Sequence, residues 1–457
     1  MHGSKPTADP RDKLDFKRVL PIFIIVLIDL LGLTIIIPLL PLYAASFGAS
    51  PLVIGALGTT YPLMQLIGGP LLGGLSDRYG RKPVLIVSQI GTLIGFIILG
   101  LANALPLLFL SRIIDGLSGA NIVVAQAAIT DSTNERTRAQ GLGLIGAAFG
   151  LGFTLGPAIA GIALVASGND YRVPAFLAAG FSLISILLTT FWFHETHPAE
   201  KRAQAASGTP TGNRLTRTLA ALRNPLIGAL LLLIFLQQLV FGGFENLLAL
   251  FTLNRLGMGA SSNAALFVFV GVLLVLVQGK YIGPWSRKYG ERKLIYAGLA
   301  LLAVGLTLAS ITPPQPVPWY SQSALLEELS SSARHETIAV ALPQDDSTGW
   351  LGLVWMLVAM VPTTIGGGIL APSINSMITK RISPTQIGSM LGVSSSLVSA
   401  ANAITPLIGG ALFQIMGSTA PFLIGGLVMA ALVVFATRRI APHTSESLTS
   451  TSSGSPA

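Results

Sequence analysis

Long apolar segments, separated by shorter polar ones, recur from one end of the chain to the other. Each has on the order of 20 residues or more, the length that an α-helix needs to cross a bilayer. They lack the apolar–polar alternation over about ten residues that is typical of membrane-barrel strands. The pattern predicts an all-α membrane protein with twelve transmembrane helices, at 19–43, 51–74, 83–103, 106–130, 139–165, 173–194, 225–251, 262–285, 293–312, 350–378, 386–413 and 419–437.

The polar segments divide these helices into two sets of six. The longest one inside the array, 195–224, follows the sixth helix and is predicted to be a linker between two bundles, 19–194 and 225–437. The second bundle contains a long polar loop, 313–349. Two interpretations of this loop stay open: a tolerated insertion, or a lid for gating or partner binding. The polar termini are 1–18 and 438–457.

Composition agrees with a protein whose surface lies mostly in lipid. Only 10% of the 457 residues are charged, against roughly 25% in soluble domains. The net charge of +9 would suit a nucleic-acid partner, but its distribution indicates membrane orientation instead. If both termini lie on one side, that side carries 23 of the 28 lysines and arginines and the other side carries three. The positive-inside rule then predicts cytoplasmic termini, a multi-pass protein of the cell membrane and no nucleic-acid partner.

The two sets of helices are related by an internal repeat. The second helix ends in GGLSDRYGRKP, 73–83, and the eighth in GPWSRKYGERK, 283–293, at a constant offset of 210 residues. GPAIAG at 156–161 aligns with TPLIGG at 405–410, at an offset of 249. The extra 39 residues are close to the length of the loop 313–349, so an insertion in that loop accounts for the shift.

The segment GLSDRYGRK, 74–82, resembles the signature of the major facilitator superfamily between helices two and three. The resemblance implies two six-helix bundles with the solute between them. It also implies a latch that closes the cytoplasmic side and gives an outward-open state. The latch residues would be Gly74, Asp77, Arg78, Gly80, Arg81 and Asp131. The alternative is that the basic residues only orient the helices.

The second copy of this segment differs in its charges. Arg287 stands where the first half has Asp77, and Glu291 stands where it has Arg81. The second half is therefore expected not to make the same latch.

Three charged residues within the predicted helices are candidates for proton coupling. Asp29 lies about ten residues into the first helix, near the expected bilayer midplane. Arg112 and Asp115 lie on one face of the fourth helix at i, i+3 spacing and can pair. Charged groups at such depth are costly and usually face a cavity or a partner. A purely structural ion pair is the alternative for Arg112 and Asp115.

The fifth helix contains GLGFTLGPAIAG, 150–161, which is similar to a motif of drug:proton antiporters. The matching positions are Gly152, Gly156, Pro157 and Gly161, and Ala160 replaces one motif glycine. The likeness favours export over uptake. Three other stretches resemble the tetracycline:proton antiporter branch: LIDLLGLTIIIPLLPLY, 27–43, YPLMQLIGGPLLGGLSDRYGRKPVL, 61–85, and FWFHET, 191–196. The third helix, IGTLIGFIILG, lacks the aspartate that tetracycline exporters carry there, which argues against tetracycline as the substrate.

The expected substrate cavity is lined by polar residues of both halves. Gln65 matches a cavity-facing glutamine of the tetracycline branch, and the seventh helix supplies a cluster of amides and one acid. The candidates are Gln65, Asn121, Gln237, Gln238, Glu245 and Asn246. For Glu245, a solvated carboxylate at the outer mouth, attraction of cationic solutes and a second protonation site all stay open.

Several chemistries have no matching residues. The chain has no cysteine, no phosphate-binding G-x-x-x-x-G-K-[ST] loop and no visible nucleophile–base set, so we expect no enzyme activity, cofactor or metal. The expected function is a monomeric, proton-coupled antiporter that exports small hydrophobic or amphipathic compounds, with protons and the lipid bilayer as its other partners. The alternatives are a proton symporter, a lipid flippase, and a non-transporting receptor or scaffold that uses the loop 313–349 for recognition.

Overall fold

A computed structural model describes residues 15–119, 121–134, 137–197, 200, 227–333, 339–382 and 387–440. The N-terminal segment before residue 15, most of the predicted linker and the tail after residue 440 lie outside this range. Within it, twelve helices are long and apolar enough to span a membrane, and no strand occurs. In chain order they are α1 Phe16–Ser46, α2 Pro51–Tyr79, α3 Arg81–Gly100, α4 Leu105–Asp131, α5 Arg138–Ala166, α6 Arg172–Phe191, α7 Gly228–Leu256, α8 Ala260–Tyr289, α9 Glu291–Ser310, α10 Leu351–Thr379, α11 Ile387–Met416 and α12 Ala420–Arg439.

The helices α2 and α8 run further than the hydropathy pattern predicts. They end at Tyr79 and Tyr289, four or five residues beyond the expected ends at 74 and 285. The polar residues there still satisfy the backbone hydrogen bonds of a helix, so leaving the apolar region does not end the helix. The chain turns at Gly80 and Gly290, whose φ angles of 103° and 77° suit glycine.

Three of the spanning helices are locally irregular. In α1 the helix is broken by a turn at 37–39, around Pro38. In α4 two helical segments, Leu105–Ser118 and Asn121–Asp131, meet at Gly119. In α8 the segment Leu276–Tyr281 forms a π-helical turn, a feature that often marks functional sites.

The helices form two halves, α1–α6 and α7–α12. In the first half α1 packs against α5 and α6, and α3 packs against α4 and α6. In the second half α9 packs against α10 and α12, and α7 packs against α11 and α12. The halves meet along α2 with α11 and along α5 with α8. We call the end of the bundle where α1 begins and α12 ends the termini end, and the opposite end, which carries the segment 311–350, the loop end.

The two halves are in close contact at the loop end. The Leu52 amide donates to Gln414 Oε1 at 3.1 Å, and the Leu407 amide donates to Thr59 Oγ1 at 3.1 Å. At Gly55 a Cβ atom would lie 2.3 Å from the Pro406 carbonyl oxygen, so only glycine allows this backbone approach. Here α2 and α11 close the loop end.

Towards the termini end the facing helices move apart. Gly143, Gly146 and Gly150 of α5 and Gly392 of α11 have open space where a Cβ would be. The structure is therefore closed at the loop end and open at the termini end. This is the reverse of the state expected from the predicted latch, which would close the end that carries the termini.

Candidate functional site

A cavity of about 720 Å³ lies between the halves. This volume is within the roughly 300–1,000 Å³ range of small-molecule sites. Its walls come from α1, α2, α4 and α5 of the first half and from α7 and α11 of the second. Apolar residues such as Leu33, Phe149, Phe153 and Val398 provide much of the lining. The cavity is suited to a hydrophobic or amphipathic molecule of drug size.

Three of the predicted cavity residues do line it. Gln65 donates from Nε2 to the Gly119 carbonyl at 3.1 Å, beside the break in α4. Asn246 donates to the Gly242 carbonyl at 2.8 Å. Glu245 lies in the cavity wall, so it is not the carboxylate at an outer mouth that one interpretation described.

The other three predicted cavity residues lie elsewhere. Gln237 is 1% exposed and is absent from the cavity wall, because adjacent helical residues point about 100° apart and cannot share one face. Gln238 instead reaches the cavity through Asn402, whose Oδ1 accepts its hydrogen bond at 2.9 Å. Asn121 is buried and binds Asp29.

Asp29 lies in a polar cluster inside the first half. Its Oδ2 accepts hydrogen bonds from Asn121 Nδ2 at 2.8 Å and from Gln89 Nε2 at 3.3 Å. Gln89 also donates to Ser185 Oγ at 2.8 Å, which ties α1, α3, α4 and α6 together. The second oxygen, Oδ1, is buried without a hydrogen-bond partner among the described residues. That oxygen is a free acceptor position in the bundle interior.

The sequence reasoning missed Gln89 and Ser185. Both are buried, at 0% exposure each. The available signal was a polar side chain within an otherwise apolar helix, which in a membrane is expensive unless it finds a partner. That signal was applied to charged residues and to amides of the second, fourth and seventh helices, but not to the polar residues of the third and sixth.

Arg112 and Asp115 form an ion pair, as their spacing allows. Arg112 Nη1 lies 3.2 Å from Asp115 Oδ2, and both side chains are 2% exposed. The guanidinium also lies over the Phe96 ring, 5.5 Å from its centroid, and its Nη2 has no hydrogen-bond partner in the described range. Arg112 borders the cavity, so the pair connects the solute space with the interior of the first half.

The glycine motif of α5 packs directly on α1. Thr34 Oγ1 donates to the carbonyl of Gly152 at 2.9 Å. A Cβ at Gly156 would lie 2.1 Å from Thr34 Oγ1. Pro157 is buried within an uninterrupted helix. At Gly161 a Cβ would lie 3.1 Å from Ala264 Cβ of α8, in the other half. The motif thus contacts the helix that carries Asp29 and, one turn on, the opposite half.

The signature residues of the first half form a network at the termini end. Arg81 donates from Nε to Asp131 at 2.9 Å, and from Nη1 to Asp77 at 2.6 Å and to Ser76 at 2.7 Å. Arg81 is 5% exposed. These bonds all lie within the first half.

The other signature residues are less enclosed. Asp77 lies in the last turn of α2, with its side chain 52% exposed. Arg78 is exposed over the Tyr79 ring, and a Cβ at Gly74 would touch nothing within 4 Å. The network therefore braces one half and leaves Asp77 facing open space.

The second half has a corresponding network with its charges exchanged. Glu291 accepts hydrogen bonds from Ser286 Oγ at 3.0 Å, from Ser376 Oγ at 3.2 Å and from Lys380 Nζ at 2.5 Å. The repeat offsets place Ser286 and Glu291 at the positions of Ser76 and Arg81, and Lys380 at the position of Asp131. The acid and the base have changed places, so the second half lacks the residues of the first-half latch but has an equivalent brace with reversed charges.

Comparison with known families agrees with this architecture. The family model of the Major Facilitator Superfamily matches residues 22–332 and 338–456. The chain therefore belongs to the major facilitator superfamily and is a multi-pass membrane transporter of small molecules.

Its relatives include several drug-resistance proteins. It is 30% identical over 426 residues to the class E tetracycline resistance protein of Escherichia coli, covering 92% of this chain and 94% of that protein. It is 29% identical over 395 residues to the class B protein of the same organism, covering 86% and 87%. Among solved structures, the human organic anion transporter MFSD10 (TETRAN) superposes with a TM-score of 0.61 at 22% identity, covering 94% of this chain and 100% of that one. That likeness shows the shared fold.

Proposed function

We propose that this member of the major facilitator superfamily is a proton-coupled antiporter that exports small hydrophobic or amphipathic compounds across the cell membrane. The observation that carries the proposal is the position of Asp29. Its carboxylate is enclosed within the first half, and Thr34 on the same helix packs against the glycine motif of α5. Asp29 thus lies on α1, which packs against α5, and α5 in turn contacts α8 of the other half. A change of charge at Asp29 can therefore act on the contact between the halves through α5.

The direction of export depends on orientation. The turns of the termini end, the two termini and the segment 195–224 together hold most of the lysines and arginines of the sequence, so the positive-inside rule supports a cytoplasmic termini end. The structure would then be open to the cytoplasm and able to collect solute from there or from the inner leaflet. The loop end would be the exit side.

Proton movement in the opposite direction would drive the cycle. In the outward-open state an external proton binds Asp29, or the Arg112–Asp115 pair. Neutralising a buried charge removes its desolvation cost, which favours closing the outer side around it. Release of the proton to the cytoplasm restores the charge and the state that accepts solute. Each group lies inside the first half, so this half would be the coupling half.

The relatives support export of drug-like molecules without fixing which ones. They are named for tetracycline resistance at 26–30% identity, and one is the multidrug resistance protein 2 of Bacillus subtilis, 26% identical over 413 residues. Among the described residues, α3 contributes polar Ser88, Gln89 and Thr92 to the interior but no acid. We therefore propose an amphipathic substrate other than tetracycline.

A panel of compounds tests the substrate class. The purified protein is reconstituted in liposomes, a pH gradient is imposed, and uptake of labelled cationic, neutral and anionic amphipathic compounds and of a tetracycline is measured. We expect transport against the compound gradient for at least one non-tetracycline compound, abolished by a protonophore. Movement of every transported compound in the same direction as the protons would identify a symporter and contradict the proposal.

Glu245 offers a sharper test of solute choice. Among the described residues that line the cavity, it is the one acidic residue. Glu245→Gln should therefore reduce transport of a permanently cationic compound by about tenfold, the effect of losing one charge contact, and spare its neutral analogue. Equal loss for both compounds would contradict a role in charge recognition.

A further inference from the structure

The long loop between α9 and α10 is packed against the second half. Val317 donates its amide to the Leu256 carbonyl at 3.0 Å, and Arg255 donates to the Thr312 carbonyl at 2.8 Å. Tyr320 donates its hydroxyl to the Pro343 carbonyl at 2.6 Å. Val317 is fully buried. The described part of the loop is thus an integral part of the second half rather than a loosely attached insertion.

This loop contains a helix, Gln322–Ala333, which we call the loop helix. One of its faces is apolar and buried, with Leu325 at 5% and Leu329 at 1% exposure. The helix also contacts the segment Leu40–Ser46 at the loop end of α1, in the first half. A segment that belongs to the second half therefore reaches across the boundary between the halves.

Glu328 of the loop helix connects both halves through one carboxylate. From the first half, Asn169 Nδ2 donates to Oε2 at 3.0 Å and the Tyr171 hydroxyl donates to Oε1 at 3.1 Å. From the second half, the Ala260 amide at the start of α8 donates to Oε1 at 3.0 Å. A free amide in the first turn of a helix is a favourable partner for a carboxylate.

The surroundings of Glu328 are fitted to this contact. A Cβ at Gly259 would lie 2.6 Å from Oε2, so the glycine makes room for the carboxylate. Asn169 holds a left-handed conformation with φ 64°, and Tyr171 is 1% exposed and stacks on Tyr43 at 5.4 Å. The two first-half donors are thus held in place by their own half.

We propose that the loop helix is a clasp, fastened by Glu328, that holds the loop end closed and sets the balance between the two access states. The proposal rests on the alternation of access that the proposed function requires. When the cavity opens at the loop end, the halves separate where Asn169 and Tyr171 meet Glu328, so both bonds must break. Glu328 is a positioning residue in this scheme and does not touch the solute.

The electrostatics of Glu328 indicate which substitutions are informative. Burial raises the pKa of Glu328, while hydrogen bonds from the Ala260 amide and the Tyr171 hydroxyl lower it. The donors therefore offset part of the cost of burying the carboxylate. Removing a first-half donor destabilises the closed state, in which the carboxylate is buried. It leaves the open state unchanged, because water solvates the carboxylate once the halves separate. Tyr171→Phe and Asn169→Gly remove one donor each, and glycine keeps the left-handed backbone.

The test measures distances across each end in the absence of solute and pH gradient. Because the chain has no cysteine, spin labels attach only at introduced sites. Exposed positions are Leu101 and Leu351 at the loop end and Phe191 and Val434 at the termini end. Pulsed electron paramagnetic resonance then gives the ratio of open to closed loop ends. We expect Tyr171→Phe and Asn169→Gly each to raise this ratio about tenfold, the effect of losing one hydrogen bond to a charged group.

Two further variants make the result specific. Tyr320→Phe removes a hydroxyl hydrogen bond that lies inside the loop and not between the halves, so it should leave the ratio unchanged. In a Glu328→Ala background, Tyr171→Phe should have no additional effect, because both act through one contact. Unchanged distances in both donor variants, or an equal effect of Tyr171→Phe with and without Glu328, would overturn the clasp. Loss of proton-driven transport alone would instead bear on the proposed function, since this readout needs neither protons nor solute.

Discussion

At the scale of single residues, the first half places its functional groups on a few neighbouring helices. Asp29 and Thr34 lie five residues apart on α1. Asp29 carries the buried carboxylate, and Thr34 packs against the motif glycines of α5. Thr34 is fully buried and bonds to carbonyls of its own helix and of α5. The distance between a charge and the helix contact it would control is thus about one helical turn.

Gly156 should be the most sensitive position of this contact. A methyl group there would meet Thr34 Oγ1 at 2.1 Å and its backbone at 2.9 Å, whereas at Gly150 it would meet nothing within 4 Å. Gly156→Ala should destabilise the protein by about 1–3 kcal/mol through overpacking, and Gly150→Ala should be close to neutral. Thermal unfolding of both variants in detergent measures the difference. Equal midpoints would contradict the close packing of α1 on α5.

Residue chemistry was predictable where spacing on one helix decides it. The i, i+3 spacing of Arg112 and Asp115 predicted that they can pair, and they do. The glycines of the fifth-helix motif lie where α5 contacts α1. The surroundings of Asp29 were not predictable, because Gln89, Asn121 and Ser185 come from three other helices. Which of two adjacent amides faces the cavity, Gln237 or Gln238, depends on helix rotation, which hydropathy does not report.

At the scale of elements, the two halves contain the same brace at equivalent positions, but the acidic and basic residues of the brace are exchanged between them. Both halves brace the turn after their second helix against the end of their fourth, with Arg81 on Asp131 in one and Glu291 on Lys380 in the other. The attraction between an acid and a base is the same whichever of the two helices carries the acid. A sequence comparison that expects identical charges therefore misses the equivalence.

The two braces should differ in strength because they differ in exposure. Arg81 has a side chain 6% exposed, whereas that of Lys380 is 61% exposed. Arg81→Ala should destabilise the protein by roughly 3–5 kcal/mol, since it leaves a carboxylate enclosed without its partner. Lys380→Ala should cost at most about 1 kcal/mol, because the lysine is open to solvent and Glu291 keeps its hydrogen bonds from Ser286 and Ser376. Unfolding of the two variants under one set of conditions compares them, and a larger effect at Lys380 would refute this account.

The twelve helices themselves followed from hydropathy, with errors at their ends. Apolar length predicts where a helix lies in lipid, but the backbone continues its hydrogen bonds into the polar region until a residue such as Gly80 turns the chain. The loop helix has only 12 residues, too few to appear as a span in the hydropathy pattern. Its contact with the first half joins residues about 157 positions apart in the chain, which a local pattern does not reveal.

At the scale of the whole molecule, access to the cavity is decided by contacts between the halves. The sequence resemblance implied an outward-open state, and the structure is closed at the loop end. Both states use the same helices, and they differ only in which end of the interface is closed, so hydropathy and motifs are the same for each. Close contacts of α2 with α11, together with Glu328, favour the state described here.

The central claim is that protons drive export through Asp29, and exchange in proteoliposomes tests it most directly. The measurement follows internal pH with an entrapped dye while a transported compound is added on one side of the membrane. Asp15→Asn, at an exposed position directly before the same helix, is the matched control. We predict that wild type and Asp15→Asn move protons in exchange for the compound, whereas Asp29→Asn folds normally and moves none. Undiminished exchange by Asp29→Asn would contradict the account.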